Sequence, residues 1–458
     1  MRLYKPFIAG TCFFIMLSGC QKDFLTIPPS TNAIQPNQLP YLAGMLNNSE
    51  LFCQTPVNGE ASADGYYVPD SVLGQMPAVD RQLYTWEKDI YAGQPGSEDW
   101  RVPYKQVYTA NVVLDELEDI ASTPVTQAQW NQVKGTALFM RAYAFHQLAM
   151  VFAPWYNPNG AEQQRGIVLS LSPEQGVDYT RSNLRETYAR ITADLLQAKD
   201  LVPVALPDTQ RYLPDKAAVC AALARVYLLM SDYDKALSYC DSALGYHPEL
   251  IDYNTIKAGE RYSFSPANKE VLYNSSLIST DVLQAGLRLA FIDTVLYRSY
   301  SDNDLRKYLY YKIPSWTSEP VLKGSYSGKS LPFSGLATDE LYLTRAECYA
   351  RRGNIPACLN DINTLLLHRY KPGTFVPCSV STADAALSLV LTERRKELAF
   401  RGLRWSDLKR INGEGRLMNL QRIAAGQLHT LPANSNRWVL PIPDDALQGS
   451  HIDQNPRD

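Results

Sequence analysis

The sequence has little net charge, few histidines and no apolar run outside its first twenty residues that could span a bilayer. Lysine and arginine number 44 against 47 for aspartate and glutamate, a formal charge of −3 over 458 residues. So small an imbalance argues against nucleic-acid binding, because a basic surface is needed to neutralise phosphates. The mean hydropathy of −0.25 excludes a polytopic membrane protein.

The metal-binding and redox motifs of many enzymes are also missing. The five histidines show neither the H-x-x-x-H nor the H-E-x-x-H spacing of a zinc hydrolase, and the eight cysteines form no C-x-x-C pair. We therefore predict no metal, no cofactor and no zinc chemistry. Cys220, Cys240, Cys348 and Cys358 lie at helical core positions, which favours buried thiols over disulfides. A pair of glycosidase carboxylates stays open, because distances across the fold cannot be read from a sequence with 47 acidic residues.

Two further segments imitate functional motifs without satisfying them. Segment 324–330 (GSYSGKS) has three residues between its glycines where a phosphate-binding loop needs four, and Tyr326 stands where a nucleophile elbow needs serine. We expect an exposed, flexible loop there. Asp302-Asn303-Asp304 lacks the following glycine and distal glutamate of an EF-hand, which favours a structural turn over a calcium site.

The first twenty residues have the pattern of an export signal. Arg2 and Lys5 precede an apolar run at 7–17, which is too short to span ~30 Å of hydrocarbon. Leu17-Ser18-Gly19-Cys20 resembles the bacterial lipobox, in which the cysteine is diacylated and the preceding segment removed. We predict a signal peptide over 1–19 and a lipid anchor on Cys20, with a plain secretory signal as the alternative. Asp23 then resembles the acidic cue that sends some lipoproteins to the outer face of the outer membrane.

Helical periodicity dominates the rest of the chain. Apolar residues recur at helical spacing in segments 104–120, 129–152 and 184–202. From Lys216 to Pro248, small residues and tyrosines follow a helix-turn-helix pattern, and segment 341–366 repeats its offsets. This pattern resembles the tetratricopeptide repeat. We therefore predict a mainly α fold: a superhelix of tetratricopeptide-like α-hairpins, interrupted at 153–183, with an irregular, loop-rich C-terminal half packed on it.

A segment dense in charge carries a family resemblance. Segment 391–411 reads LTERRKELAFRGLRWSDLKRI. It resembles the E-R-R-x-E-L-A-F-E-G-x-R-W-x-D-L-x-R signature of the SusD/RagB family of nutrient-binding surface lipoproteins, although Arg401 departs from the acidic residue usual there. The closing segment 438–456 (WVLPIPDDALQGSHIDQNP) resembles the P-I-P…Q-N-P tail of the same family. Because the signature helix carries many charges of both signs, we predict that it buries paired ions and has a structural role.

The resemblance implies one SusD-like body over 20–458. It comprises an N-terminal part (20–215), a hairpin (216–248) and a C-terminal part (249–458) that includes the hairpin 341–366. It also implies binding without catalysis, in a surface lipoprotein that captures oligosaccharides and acts as the lid of a SusC-like TonB-dependent transporter in the outer membrane. Oligopeptide ligands are the first alternative, and a lipid-anchored hydrolase or a pure scaffold are the others.

A glycan ligand would need aromatic rings on loops, where the apolar faces of sugars can stack, with polar groups at the rim. Three loop regions meet this description, before the first clear helix, just past residue 152, and within 314–335. Their candidate binding residues are Asp64, Tyr66, Tyr67, Trp86, Tyr91, Trp100, Trp155, Tyr156, Trp316 and Tyr326. Trp405 and Trp438 are assigned to the core, and a core position is the alternative for each loop aromatic.

Overall fold

The structure is a computed structural model that describes residues 38–91, 93–94, 96–174, 176–285 and 289–458. The predicted signal peptide, Cys20 and Asp23 lie outside the described residues. Within those ranges, no helix combines the length and the apolar character needed to cross a bilayer.

Helices make up most of the regular structure. The α-helices of the described residues are α1 (Leu39–Leu46), α2 (Ser49–Phe52), α3 (Asn58–Ser62), α4 (Asp70–Leu73), α5 (Ala78–Tyr84), α6 (Glu98–Glu116), α7 (Gln127–Phe152), α8 (Leu184–Leu201), α9 (Lys216–Leu229), α10 (Tyr233–Tyr246), α11 (Thr294–Arg298), α12 (Arg306–Leu309), α13 (Thr338–Arg351), α14 (Ile355–Leu367), α15 (Ala383–Glu397), α16 (Arg404–Gly413) and α17 (Asp444–Leu447). Short 3-10 helices lie at Asp208–Gln210, Tyr253–Thr255 and Asn436–Trp438.

The strands are short and pair two by two. The antiparallel pairs are β2 (Tyr66–Tyr67) with β7 (Phe291–Ile292), β3 (Arg165–Val168) with β4 (Arg181–Asn183), β5 (Val271–Tyr273) with β10 (Leu336–Ala337), β8 (Tyr311–Lys312) with β9 (Val321–Leu322), and β11 (Leu420–Ala424) with β12 (Gln427–Leu431). One pair is parallel, β1 (Gln54–Thr55) with β6 (Ser276–Leu277). Such short pairs tie loops to the helical body.

The long helices pack mainly against their neighbours in the chain. Helix α6 lies against α7, α7 against α8, α9 against α10, and α13 against α14. The α9–α10 turn contains Ser231 at φ 58°, and the α13–α14 turn contains Gly353 at φ 72°. Left-handed residues at these positions let the chain reverse directly after a helix. The mainly α fold and the two helical hairpins are therefore confirmed, while their tetratricopeptide identity and the boundaries at 215 and 248 stay predictions.

Helix α7 is the centre of the N-terminal half. It is buried on every side from Gly135 to Phe152, as expected for a helix that is apolar all round. Its Arg141 forms two hydrogen bonds of 2.8 and 2.9 Å with Asp194 of α8 and donates a third, of 3.0 Å, to Asn111 of α6. A buried guanidinium in this geometry links three helices at one point.

The signature segment is a helix-turn-helix, so its prediction as one helix was wrong. Helix α15 ends at Glu397 and α16 begins at Arg404. Between them Phe400 and Gly402 have φ values of 61° and 75°, which no helix accommodates. At Gly402, an added Cβ would lie 2.9 Å from a Leu277 methyl group, so the turn also needs the space that glycine leaves.

The prediction of buried ion pairs in this segment is confirmed. Arg394 of α15 meets Asp407 of α16 at 2.7 Å, and both side chains are buried. Arg401, the departure from the family pattern, lies 2.6 Å from Asp339, which is also buried. The two helices and the turn between them are therefore held together by charge-assisted hydrogen bonds.

Segment 324–330 is a largely buried turn, so its prediction as an exposed, flexible loop was wrong. The Ser325 hydroxyl accepts a 2.7 Å hydrogen bond from the backbone N–H of Phe333. At Gly328 (φ 62°) an added Cβ would lie 2.5 Å from a Pro266 ring carbon. Glycine is therefore needed for close packing, and flexibility is not its role here.

The structural turn at Asp302–Asp304 and the buried thiols are both confirmed. The Asp304 carboxylate is 2.7 Å from Arg306, and Asp302 is 2.7 Å from Lys307. The four cysteines predicted to be thiols are free and buried, namely Cys220, Cys240, Cys348 and Cys358.

Candidate functional site

The two tyrosines of strand β2, Tyr66 and Tyr67, point to opposite faces of the strand. Tyr66 points into the core, where it is 3% exposed and its hydroxyl donates a 2.6 Å hydrogen bond to the carbonyl of Ala61. Tyr67 is partly exposed and pairs with Phe291 of β7. This is the period-two alternation of a strand with one buried face. The outer face of the β2–β7 pair therefore presents the Tyr67 ring.

The loop between β8 and β9 adds a tryptophan to the same face. Trp316 is 41% exposed, and its ring centroid lies 6.1 Å from that of Phe291. Phe291 in turn lies 5.7 Å from Tyr67. The backbone N–H of Ile292 donates a 2.9 Å hydrogen bond to Pro320, which ties the end of the loop to β7. The three rings therefore form a row. We call this row, together with Glu319, the Trp316 surface.

Glu319 supplies a polar edge to this row. The Tyr67 hydroxyl donates a hydrogen bond to the Glu319 carboxylate, and burial together with that carboxylate raises the pKa of Tyr67 to about 12. The phenol therefore stays protonated at neutral pH and holds the carboxylate beside the rings. Apolar ring faces with an acceptor at the rim are what a sugar needs, because its C–H faces stack and its hydroxyls donate.

Asp64, two residues before β2, forms ion pairs that link β2 to β7. Its carboxylate lies 2.7 Å from Arg404 and 3.0 Å from Arg395. Burial opposes its ionisation, but the two guanidiniums outweigh burial and lower the pKa of Asp64 to about 2. Arg395 also reaches Asp293, the residue after β7, at 3.1 Å. Asp64 is therefore a fixed anion that anchors both strands.

Trp86 lies in the core, where it encloses a buried arginine. The Arg422 guanidinium is 4.7 Å from the Trp86 ring centroid, 5.0 Å from that of Tyr66 and 4.2 Å from that of Tyr84. The Trp86 indole N–H donates a 2.9 Å hydrogen bond to the carbonyl of Ser62. These ring faces already hold a cation, which accounts for Tyr66 and Trp86 without a ligand.

Tyr326 is also fully buried. Its hydroxyl bonds the Tyr253 hydroxyl at 2.7 Å and donates to the Glu270 carboxylate at 2.6 Å. The Arg401 guanidinium stacks 4.2 Å from the centre of its ring. With both ring and hydroxyl occupied, Tyr326 has a structural role, and Tyr91 is likewise buried.

The two remaining tryptophans line separate cavities. Trp100 packs 4.7 Å from Tyr104 and forms one wall of a groove of about 490 Å³. Trp155 is partly buried and lines a different cavity of about 360 Å³. Its neighbour Tyr156 is buried 5.0 Å from the ring of Tyr188.

Of the predicted residues, the structure therefore brings Tyr67 and Trp316 together on one exposed surface. Sequence reasoning missed Phe291 and Glu319. Glu319 lies inside the stretch 314–335 that was singled out for its aromatics, so the nearest acid to Trp316 in that stretch would have pointed to it. Phe291 has no local signal, because its position beside Tyr67 depends on the pairing of two distant strands.

No metal-binding cluster of three His, Cys, Asp or Glu side chains occurs in the part of the chain that the structure describes. Of the histidines, His146 is deep in α7, where both ring nitrogens lack hydrogen-bond partners. Burial lowers its pKa to about 3, so it is a neutral core residue at physiological pH.

Comparison with known protein families finds two matches in this chain. Residues 53–228 match a family described as "Starch-binding associating with outer membrane". Residues 285–457 match the family described as "SusD family". A curated relative, SusD-like protein P2 of Formosa agariphila, is 32% identical over 141 residues, which are 30% of this chain and 25% of the relative. That similarity therefore spans about a quarter of the relative's length.

Solved structures with the same fold cover most of the chain. A SusD superfamily protein of Bacteroides thetaiotaomicron has a TM-score of 0.71 at 18% identity, covering 92% of this chain and 100% of its own. A SusD-like carbohydrate binding protein of Bacteroides vulgatus has a TM-score of 0.66 at 18% identity, with coverage of 90% and 96%. A laminarin-binding SusD-like protein has a TM-score of 0.64 at 16% identity, with coverage of 91% and 98%.

Proposed function

The chain belongs to the SusD/RagB family, and from this premise we propose that it captures an oligosaccharide at the cell surface. It then delivers the ligand to a SusC-like TonB-dependent transporter in the outer membrane, for which it acts as a lid. The role is binding without catalysis. The observation that carries the proposal is the row of rings at the Trp316 surface.

The form of this surface favours an oligosaccharide over an oligopeptide. The exposed ring of Trp316 and the partly exposed ring of Tyr67 flank the buried Phe291, whose centroid lies 6.1 and 5.7 Å from theirs, and they offer two apolar faces to a chain of sugar units. Glu319 stands at the rim as an acceptor for hydroxyls. A peptide would rely on backbone pairing with an extended segment and less on ring stacking. The laminarin-binding structural neighbour makes laminarin oligosaccharides the first probe.

Calorimetric titration of the purified protein with laminarin oligosaccharides tests the surface. Trp316→Ala removes one stacking face, so we expect affinity to fall about five- to thirtyfold, equivalent to about 1–2 kcal/mol. Tyr108→Ala is the matched control, because Tyr108 is a similarly exposed ring on α6. Unchanged affinity in Trp316→Ala would contradict the site. Shortened oligosaccharides after long incubation would contradict binding without catalysis.

The membrane anchor and the transporter partner need a separate experiment in the native membrane. We expect Cys20→Ala to move the protein into the soluble fraction, since the proposed lipid would be lost. Purification of the unaltered lipoprotein in mild detergent should recover a large barrel protein in stoichiometric amount. A lipoprotein that is purified alone would favour the scaffold or hydrolase alternatives.

A further inference from the structure

A second cavity lies between the end of α7, helix α16 and the loop 433–439. We call it the Trp155 pocket, and its lining includes Trp155, Gln164, Lys409, Asn434, Asn436 and Trp438. Its volume of about 360 Å³ is within the range of small-molecule sites. It shares no residue with the Trp316 surface.

The indole of Trp155 is held in place as one wall of this pocket. It lies directly over Gly413, the last residue of α16, where an added Cβ would be 2.1 Å from ring atom Cε2. Only glycine permits that approach. The ring is partly exposed and lines the cavity, so it offers a flat apolar face of the kind on which a sugar can stack.

Lys409 is a buried cation without an acidic partner. It is 5% exposed, and its Nζ donates two hydrogen bonds of 2.7 Å to the carbonyls of Met150 and Ala153 at the end of α7. An ammonium group has three N–H donors, so one is left for another acceptor. Among the described residues that line the pocket, none is acidic. Burial alone lowers the pKa of Lys409 to about 7, whereas buried charges are normally paired.

The remaining polar side chains of the pocket are uncharged, namely the amides of Gln164, Asn412, Asn434 and Asn436 and the hydroxyl of Ser435. Gln164 Oε1 is buried and has no hydrogen-bond partner in the protein. Asn434 and Asn436 are exposed at the mouth. A buried acceptor without a donor is unfavourable, and a ligand hydroxyl would satisfy it.

We propose that the Trp155 pocket binds a sugar that carries a carboxylate, such as a hexuronate unit of an acidic polysaccharide. The sugar ring lies on the face of Trp155, and the carboxylate pairs with the Lys409 ammonium. Gln164 Oε1 accepts from a ring hydroxyl. This ligand supplies a partner for each of three groups: an apolar sugar face for Trp155, an anion for Lys409 and a hydroxyl donor for Gln164 Oε1.

Calorimetric titration of the full chain with D-galacturonate, D-galactose and acetate tests the site. We expect saturable galacturonate binding, at least about tenfold tighter than galactose or acetate, because only galacturonate offers both ring and charge. Lys409→Met should remove the preference for galacturonate over galactose. Because that change also releases the α7 carbonyls, Gly413→Ala is a second variant, which displaces the indole and should weaken galacturonate binding while Lys409 stays in place.

Several outcomes would overturn the proposal. They are no binding of galacturonate, equal affinity for galacturonate and galactose, acetate binding as tight as galacturonate, and galacturonate binding that Gly413→Ala leaves unchanged. Trp316→Ala should leave galacturonate binding unchanged, and a loss there would place the sugar on the Trp316 surface instead. The laminarin titrations use a neutral ligand, so failure of the lid proposal and failure of this one can be told apart.

Discussion

Two regions of this chain use charges and aromatic rings in opposite ways. Around Arg306 and Arg369, guanidiniums and carboxylates are packed together in the fully buried interior. At the Trp316 surface, the rings of Trp316 and Tyr67 reach solvent over the buried Phe291, and one carboxylate lies at their edge. The buried region draws on the dense signature motif, whereas the exposed surface is assembled from residues scattered along the sequence. The most strongly patterned residues of this chain therefore build its scaffold, and the candidate site is carried by residues with little pattern.

The buried region is a network and not a set of separate pairs. Arg306 contacts Asp304 at 2.7 Å, Glu393 at 2.8 Å and Glu397 at 2.9 Å. Glu397 also accepts a 2.7 Å hydrogen bond from Arg369. Burial opposes ionisation of Glu397, but Arg369 and Arg306 outweigh it and lower its pKa below the usual range. Each charge therefore depends on the others for its stability.

The largest expected effect is the removal of one charge from this network. Arg306→Met should lower the free energy of unfolding by about 3–5 kcal/mol, because it leaves buried carboxylates uncompensated. Urea denaturation followed by circular dichroism measures the change. Arg352→Met is the control, since Arg352 pairs with Asp234 at the surface and such pairs contribute about 0–1 kcal/mol. Equal losses in the two variants would contradict the contrast between buried and exposed charge.

Much of the fold could be predicted from the sequence, because helical periodicity is local. Segment 129–152 corresponds to α7 (Gln127–Phe152), and segment 184–202 to α8 (Leu184–Leu201). The burial of ion pairs in the signature also followed from its composition. The reversal at Phe400 and Gly402 did not, because helix-forming residues flank it on both sides and its shape depends on contacts with distant residues such as Leu277.

The candidate site was harder to predict, since it depends on which strands pair. The sequence places Tyr66, Tyr67, Trp86 and Trp316 in one class of loop aromatics. Only the register of β2 with β7 decides that Tyr67 faces outward and Tyr66 inward. Shifting that register by one residue would exchange the two faces. Composition identifies the residue types that a sugar site needs, but tertiary pairing selects which of them are available.

A second, smaller effect is the pH dependence of stability that the neutral core contributes through His146. Burial lowers the pKa of His146 to about 3 in the folded protein, against 6.5 for an exposed histidine. Between these two pH values the unfolded chain therefore binds a proton that the folded chain does not. Stability should therefore be complete above pH 6.5 and fall as pH decreases toward 3, by up to about 1.4 kcal/mol per pH unit. Between pH 7 and pH 5, the free energy of unfolding should therefore fall by about 2 kcal/mol more in the unaltered protein than in His146→Leu, which has no imidazole to protonate. Urea denaturation at the two pH values checks it, and an identical pH dependence in both proteins would contradict it.

The smallest effects compare the two tyrosines of β2 directly. Tyr66→Phe leaves the carbonyl of Ala61 without its donor in the core, so we expect a loss of about 1 kcal/mol in unfolding free energy and unchanged affinity for laminarin oligosaccharides. Tyr67→Phe keeps the stacking ring but frees Glu319, so we expect stability within about 0.5 kcal/mol and affinity weaker by about two- to fivefold. Paired denaturation and titration of both variants measure the contrast. If Tyr66→Phe weakened binding more than Tyr67→Phe, the outer face of β2 would not be the ligand face, because the Tyr66 hydroxyl is buried in the core and does not lie on that face.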